Sequence, residues 1–179
     1  MNAQIAIAIG SELDLLVMQD SASTLDKFGI PYELELLSPH YAPNQVIEYA
    51  RETKSRGISV LIAGASGTAQ LPGLLAAYCN SPVIAVPIRL PNSLVNGLEA
   101  LYSMLSIPEA TPVAVMGINA AKHAAIFAMQ ILSLQHPSYL HLVQAFKNQQ
   151  IDQNQQTHVL IDSLGYSEYL KQSNSSKKG

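Results

Sequence analysis

The chain is 179 residues long, 48% hydrophobic and 13% charged, with a formal net charge of −3 at pH 7. That length suits one domain with a full core; the apolar excess excludes a disordered chain, and the acidic balance excludes a general basic footprint for nucleic acid. The charge fraction is about half the usual quarter of a soluble domain, which points to surface taken up in subunit contacts.

Cys79 is the one cysteine, so no internal disulfide forms and a reducing compartment is expected. The first ten residues lack the basic region and long apolar core of an export signal. No run approaches the roughly 18–20 apolar residues of a membrane span. The expectation is a cytoplasmic protein without membrane partners.

Along the chain, Gln4 to Ile9 reads as a buried strand ended by Gly10. Glu12 to Phe28 carries Leu13, Leu16, Val17, Ala22 and Leu25 near helical spacing, with Gly29 closing the helix. Tyr32 to Leu37 is a second strand, and the loop from Ser38 to Asn44 leads into a helix ending near Arg56. Ile58 to Ala63 is a third strand, Gly64 to Thr68 a turn, and Gln70 to Tyr78 a helix. Pro82 to Val86 is a short strand, the segment from Pro87 to Pro91 a loop, and Asn92 to Leu105 a helix. Val113 to Met116 and Asn119 to Leu134 complete a fifth strand and helix.

Strands alternating with helices predict βαβ units and a parallel sheet covered on both faces. The expected fold is a doubly wound, five-stranded, flavodoxin-like α/β/α sandwich with extra C-terminal helices. Residues 1–150 read as one α/β domain and 151–179 as an extension. Within this tail region, Tyr139 to Gln150 reads as a helix, Asp152 to Gln156 as a polar linker, Thr157 to Leu170 as a further helix and Ser173 to Gly179 as a frayed end.

In such folds ligands gather at the carboxyl ends of the strands. Those ends carry Ser11, Glu12 and Asp14, then Ser38 to Tyr41, then Gly64 to Thr68. Ser11 reads as a helix N-cap, and Asp14 as a carboxylate able to bind sugar hydroxyls. His40 stands between Pro39 and Pro43, which stiffen its loop, and histidine exchanges protons near neutral pH. Gly64-Ala65-Ser66-Gly67 follows a strand and opens a helix, which serves either a ligand's approach to the backbone or tight strand–helix packing.

Other chemistries find no support. His123, His136, His141 and His158 lack zinc-ligand spacing. Ser66 is not in GxSxG, no GxGxxG follows a strand, and Cys79, Tyr49, Tyr78 and Tyr102 read as packing residues.

In chain order the sequence holds Ile9-Gly10-Ser11-x-x-Asp14, Gly29-Ile30-Pro31-Tyr32-Glu33, Ser38-x-His40-x-x-Pro43, Ala63-Gly64-Ala65-x-Gly67-x-Ala69-x-Leu71-Pro72-Gly73 and Pro82-Val83-Ile84-x-Val86-Pro87. Leu101-Tyr102-Ser103-x-Leu105-x-Ile107-Pro108 and Ala124-Ala125-x-x-Ala128-x-Gln130-Ile131-Leu132 extend the set. Together these motifs resemble the PurE-type family of purine biosynthesis over roughly residues 4–135.

The resemblance implies a homo-octamer acting on a small ribonucleotide without metal or cofactor. It implies N5-carboxyaminoimidazole ribonucleotide mutase, in which carbon dioxide leaves N5 and is recaptured at C4. Three readings stand beside it: an aminoimidazole ribonucleotide (AIR) carboxylase using dissolved carbon dioxide, a paralogue acting on another small heteroaromatic acid, and a non-catalytic binding protein. His40 matches the family's general acid/base, and Ser11 and Asp14 match positions that bind the ribose-phosphate. Ser38 matches a serine beside the histidine, and Gly64, Ala65, Ser66 and Gly67, with Gln70 and Leu71 following, match the loop lining the ring and carboxylate pocket.

The chain departs from the family pattern at several points. Tyr41 stands where an arginine phosphate ligand is usual, Gln70 where a histidine is, and Leu13 where a serine is. Arg89 occupies a common glutamine position in a loop about two residues longer than usual, a candidate for the missing charge.

Overall fold

The computed structural model describes residues 3–176. Five strands form one parallel sheet: β1 (Ile5–Ile9), β2 (Tyr32–Leu36), β3 (Val60–Ser66), β4 (Val83–Ile88) and β5 (Ala114–Val115). Their order is β2-β1-β3-β4-β5, the flavodoxin-like order. In register, Ile7 faces Leu34 on one side and Ile62 on the other.

β1 and β4 are buried throughout, and β3 up to its last residue. Near-continuous apolar runs suit central parallel strands, which water reaches on neither face. Helices α1 (Leu15–Lys27) and α5 (Ala121–Ser133) pack on each other over one face. Helices α2 (Pro43–Glu52), α3 (Gln70–Tyr78) and α4 (Leu98–Leu105) cover the other. On that second side Ala6, Ala8, Ala63, Ala65 and Ala85 join Val46, Leu71, Leu75 and Met104 in one core cluster. Small side chains there bring the helices close to the sheet, while Ile5, Ile7 and Ile62 supply bulk to the opposite face. Each fully buried isoleucine contributes about 1.5–3 kcal/mol.

Edge strand β2 is guarded by charge. Glu33 accepts from the Tyr49 hydroxyl (2.5 Å) and pairs with Arg56 (2.8 Å), and Glu35 lies 3.7 Å from the same guanidinium. Such charges discourage pairing with a further strand.

Several expected boundaries move. β3 runs on through Gly64, Ala65 and Ser66, so most of the expected turn is strand. The reason lies at Gly64, where a Cβ would stand 2.4 Å from Met18 Sδ: the glycine lets α1 cross the strand closely. β4 likewise continues through Pro87 to Ile88, because proline's φ tolerates extended backbone near a strand end and its carbonyl still accepts from Asn119 N (2.9 Å). α4 starts at Leu98, not Asn92, since Asn96 and Gly97 both take left-handed backbone.

The expected linker at Asp152 to Gln156 is helical. One helix, α6 (Pro137–Leu164), runs through it, and Gly165 (φ 75°) separates α6 from α7 (Tyr166–Ser176). Polarity there marks exposure rather than a break, because glutamine is a good helix former and residues 138–164 hold no glycine or proline. The frayed end expected from Ser173 is helical as far as Ser176, and its remainder lies outside the described residues. By contacts the chain divides into Met1–Pro137, the α/β unit, and Ser138–Gly179, the helical unit. Among the described residues no helix is long and apolar enough to cross a membrane.

Candidate active site

Strand order reverses between β1 and β3, which makes a crevice at their carboxyl ends. A cleft of about 120 Å³ opens there, lined by Gly10, Ser11, Asp14, Pro39, His40, Ala65, Ser66, Ala69, Gln70 and Leu71. Three separate stretches of sequence converge on it.

Gly10 follows β1 and donates its N–H to the Gly64 carbonyl (3.3 Å). Ser11 then stands at the N-cap position of a short 3-10 turn (Glu12–Asp14), but its hydroxyl makes no capping bond. It donates instead to Asp14 Oδ2 (3.0 Å), so the capping role expected of its side chain is replaced by support of a carboxylate. Asp14 is only 1% exposed, and its other oxygen, Oδ1, is buried without a hydrogen-bond partner among the described residues. Burial raises its pKa above the ordinary carboxylate value, against the pull of the Ser66 and Ser11 hydroxyls. An unpaired buried acceptor is costly, and its place in a cleft marks it as a group waiting for a donor.

The loop after β2 carries the histidine. Ser38 organises it: its carbonyl accepts from Ala42 N (3.0 Å), and its hydroxyl oxygen accepts from Tyr41 N (3.4 Å). Pro43 follows at the first turn of α2, where its missing N–H costs nothing. His40 is thereby held at the cleft mouth, solvent-exposed, with Pro39 beside it in the wall.

Across the cleft, Ala65 and Ser66 end β3. Gly67 (φ 60°) turns the chain, and Ala69 takes left-handed backbone (φ 45°) at the N-cap of α3. Left-handed backbone at a non-glycine residue is strained and clusters at functional sites. Here it presents Gln70 and Leu71 to the cleft.

The expected site residues Ser11, Asp14, His40, Ala65, Ser66, Gln70 and Leu71 therefore meet in one place. Gly64, Gly67, Ser38, Tyr41 and Arg89 do not line it. Gly64 is spent on packing against Met18 and Gly67 on the turn, while Ser38 braces the loop from behind. Tyr41 is 94% exposed and turned outward. Arg89 is exposed just past the end of β4. Gly10, Pro39 and Ala69 join the wall without having been singled out as site residues. Ala69 was unreadable in advance because left-handed alanine has no sequence signature.

A larger concavity of about 500 Å³ lies at the amino edge of the sheet, around Arg51, Lys54, Tyr78 and Cys79, with no histidine or carboxylate. Cys79 there is half-buried, and burial pushes its thiol up, consistent with packing. Among the described residues no group of three or more His, Cys, Asp or Glu stands together as a metal site.

Fold and cleft define a class: a parallel α/β protein with a histidine held over a small-residue crevice at the topological switch point. The AIR carboxylase family model matches residues 4–153, and the chain belongs to that family. It is 40% identical over 169 residues to a Thermotoga maritima protein named N5-carboxyaminoimidazole ribonucleotide mutase, covering 94% of this chain and 98% of that one. A Pyrococcus abyssi protein of the same name is 39% identical, covering 94% and 95%. The Schizosaccharomyces pombe phosphoribosylaminoimidazole carboxylase is 42% identical over 142 residues, 79% of this chain but 25% of that longer protein. In fold, the crystal structure of Treponema denticola PurE superposes with a TM-score of 0.74 at 24% identity, covering 90% of this chain and 98% of that one.

Proposed function

We propose that the protein is an N5-carboxyaminoimidazole ribonucleotide mutase, moving a carboxylate from N5 to C4 of the aminoimidazole. The observation that carries this is the meeting of His40, the Ser11–Asp14 pair and the Ala65–Ser66 strand end in one cleft, in a chain 40% identical to a protein of that name.

The chemistry needs little machinery. The N5–carboxyl bond breaks, carbon dioxide leaves, and N5 takes up a proton. C4 attacks the carbon dioxide to form the new C–C bond, and C4 then gives up its proton. One proton arrives and one departs, so a single acid/base group is enough, and His40 fills that role at the lip of the cleft. Ala65 and Ser66, small and backed by the buried core, leave room for a flat ring and the carbon dioxide. The unpartnered Asp14 Oδ1 accepts from a ribose hydroxyl, Ser11 steadies the carboxylate, and Gln70 offers an amide to the substrate carboxylate. Ser38 sets the pose of His40 through its loop.

Incubation with the N-carboxylated ribonucleotide tests this: the C4-carboxylate is expected without added bicarbonate. The carboxylase reading is favoured by the name of the yeast relative. It predicts turnover of the uncarboxylated ribonucleotide that depends on bicarbonate, and such turnover alone would replace the mutase assignment.

The working form in this reading is a cytoplasmic homo-oligomer, an octamer by family resemblance. Leu140, Ile151, Val159, Leu160, Leu164 and Leu170 of α6 and α7 are exposed in the single chain, an apolar surface that association would cover.

A further inference from the structure

Asp14 is the cleft side chain whose pose matters most. It is buried, its Oδ1 has no hydrogen-bond partner among the described residues, and in the reading above that oxygen receives a donor of the substrate. A buried charge is costly, and an aspartate's carboxylate turns broadly about its last torsion unless it is held. Ser11 holds it from one side, donating to Oδ2 (3.0 Å), but Ser11 lies only three residues away and moves with the same turn. A hold that fixes Asp14 to the sheet has to come from another element.

Strand β3 supplies one. The turn Glu12–Asp14 packs on that strand, and Gly10 N, just before it, donates to the Gly64 carbonyl (3.3 Å), which ties the two strand ends. Along a strand the side chains alternate between faces. A Cβ at Gly64 would stand against Met18 of α1, whereas Ala65 belongs to the core on the other side. Ser66 therefore shares the face of Gly64, which α1 and the turn before it cover, and it stands with Asp14 in the cleft wall. Its hydroxyl draws the Asp14 carboxyl toward the ionised form, ahead of the Ser11 hydroxyl and against burial. The backbone there is fixed: the Ser66 carbonyl accepts from Ala69 N (3.0 Å), and Ser66 is the register partner of Ile88 in β4.

Charge does not compete for this role. The cleft lining holds two titratable side chains, Asp14 itself and His40 on the loop after β2. The ends of β1 and β3 face Asp14 with Gly10, Ser11 and Ser66. Helix α3 contributes the neutral Gln70 and Leu71, α1 continues from the turn with Leu15, Leu16, Val17 and Met18, and Glu12 on the turn is exposed.

We infer that Ser66 is a positioning residue: from β3 its hydroxyl holds the Asp14 carboxylate to the cleft wall, in concert with Ser11, and keeps Oδ1 turned to the substrate. The inference rests on the ribonucleotide reading for what Asp14 receives, but not for the hold of Ser66 on Asp14.

The test compares wild type, Ser66→Ala and Ser66→Thr in two measurements. Carbon-13 NMR follows the titration of the Asp14 carboxyl in the free protein, with Asp14→Asn to assign its resonance. Steady-state kcat and KM for the N-carboxylated ribonucleotide are taken from about pH 5 to pH 8, where His40 also titrates. Ser66→Ala loses a donor that favours the charged form, so the Asp14 titration is expected to move to higher pH. KM should rise about two- to tenfold, and the ratio of variant to wild type should grow as pH falls; taking the ratio cancels the shared titration of His40. The change in kcat should be smaller, because Asp14 carries no reacting proton. Ser66→Thr returns the hydroxyl and should restore both readings. An Asp14 titration unmoved in Ser66→Ala overturns the inference whether or not the protein is active. A KM ratio equal at every pH does so too, since it marks a merely structural change. A wild-type chain that neither binds nor converts the ribonucleotide overturns the functional reading instead, and the NMR titration still decides for or against Ser66.

Discussion

His40 owes its position to its neighbours: a serine that braces the turn, a proline in the cleft wall and a second proline that starts α2. Replacing it by asparagine keeps the loop and removes the proton carrier. His40→Asn is expected to lose about 10²–10⁴ in turnover with the thermal midpoint unchanged; residual activity near wild type would remove His40 from proton transfer. Asp14 bears the opposite relation to stability. Its folded pKa lies above the unfolded value near 3.8, so above that pH the native chain binds more protons than the unfolded one. Stability from this group is therefore full below the unfolded pKa and is lost as pH rises through the folded one. Asp14→Asn removes the buried charge. The variant should melt higher than wild type at pH 7, with the gap closing as pH falls toward 4, while ribonucleotide binding weakens. A melting-point gap independent of pH would contradict this account.

At the scale of elements, the crossing of α1 over β3 decides how close the first and third loops come. The contact is made at Gly64, where a Cβ would meet Met18 Sδ at 2.4 Å, Met18 Cγ at 2.5 Å and Ile88 Cδ1 at 3.0 Å. Gly64→Ala is expected to destabilise the fold by about 1–3 kcal/mol, read as a lower urea midpoint, and to reduce activity by moving α1 and the Asp14 turn together. An alanine variant with wild-type stability would show that the crossing has slack. The glycine was legible in the sequence as a residue under constraint, but not which constraint. A ligand approaching the backbone and a helix crossing behind it both demand a missing Cβ, and only the position of Met18 distinguishes them. The helical path through Asp152 to Gln156 escaped for a related reason: a polar stretch looks alike whether it is a loop or a helix surrounded by water.

For the whole molecule, sheet order is the deciding feature. Reversal between β1 and β3 opens the crevice, and the loops after β1, β2 and β3 fill its rim with Asp14, His40 and Ser66. The helical unit adds a 28-residue helix whose side chains are mostly exposed in one chain. Helices in proteins draw most of their stability from packing, and this one carries apolar residues at Ile151, Val159, Leu160 and Leu164 for the purpose. Sedimentation in dilute buffer is expected to return a multiple of 19.3 kDa; a single-chain mass at micromolar concentration would refute assembly.

Amino-acid order by itself determined the alternation of strands and helices, the parallel sheet and the loops that carry Ser11, Asp14, His40 and Ser66. These follow from local periodicity and from punctuation by glycine and proline, which act over a few residues. Only the tertiary structure decided that α1 crosses β3 at Gly64, that Tyr41 faces out, and that Asp14 is buried with one oxygen unpaired among the described residues. Each of these depends on atoms far away in sequence, and burial and electrostatics are properties of neighbours in space.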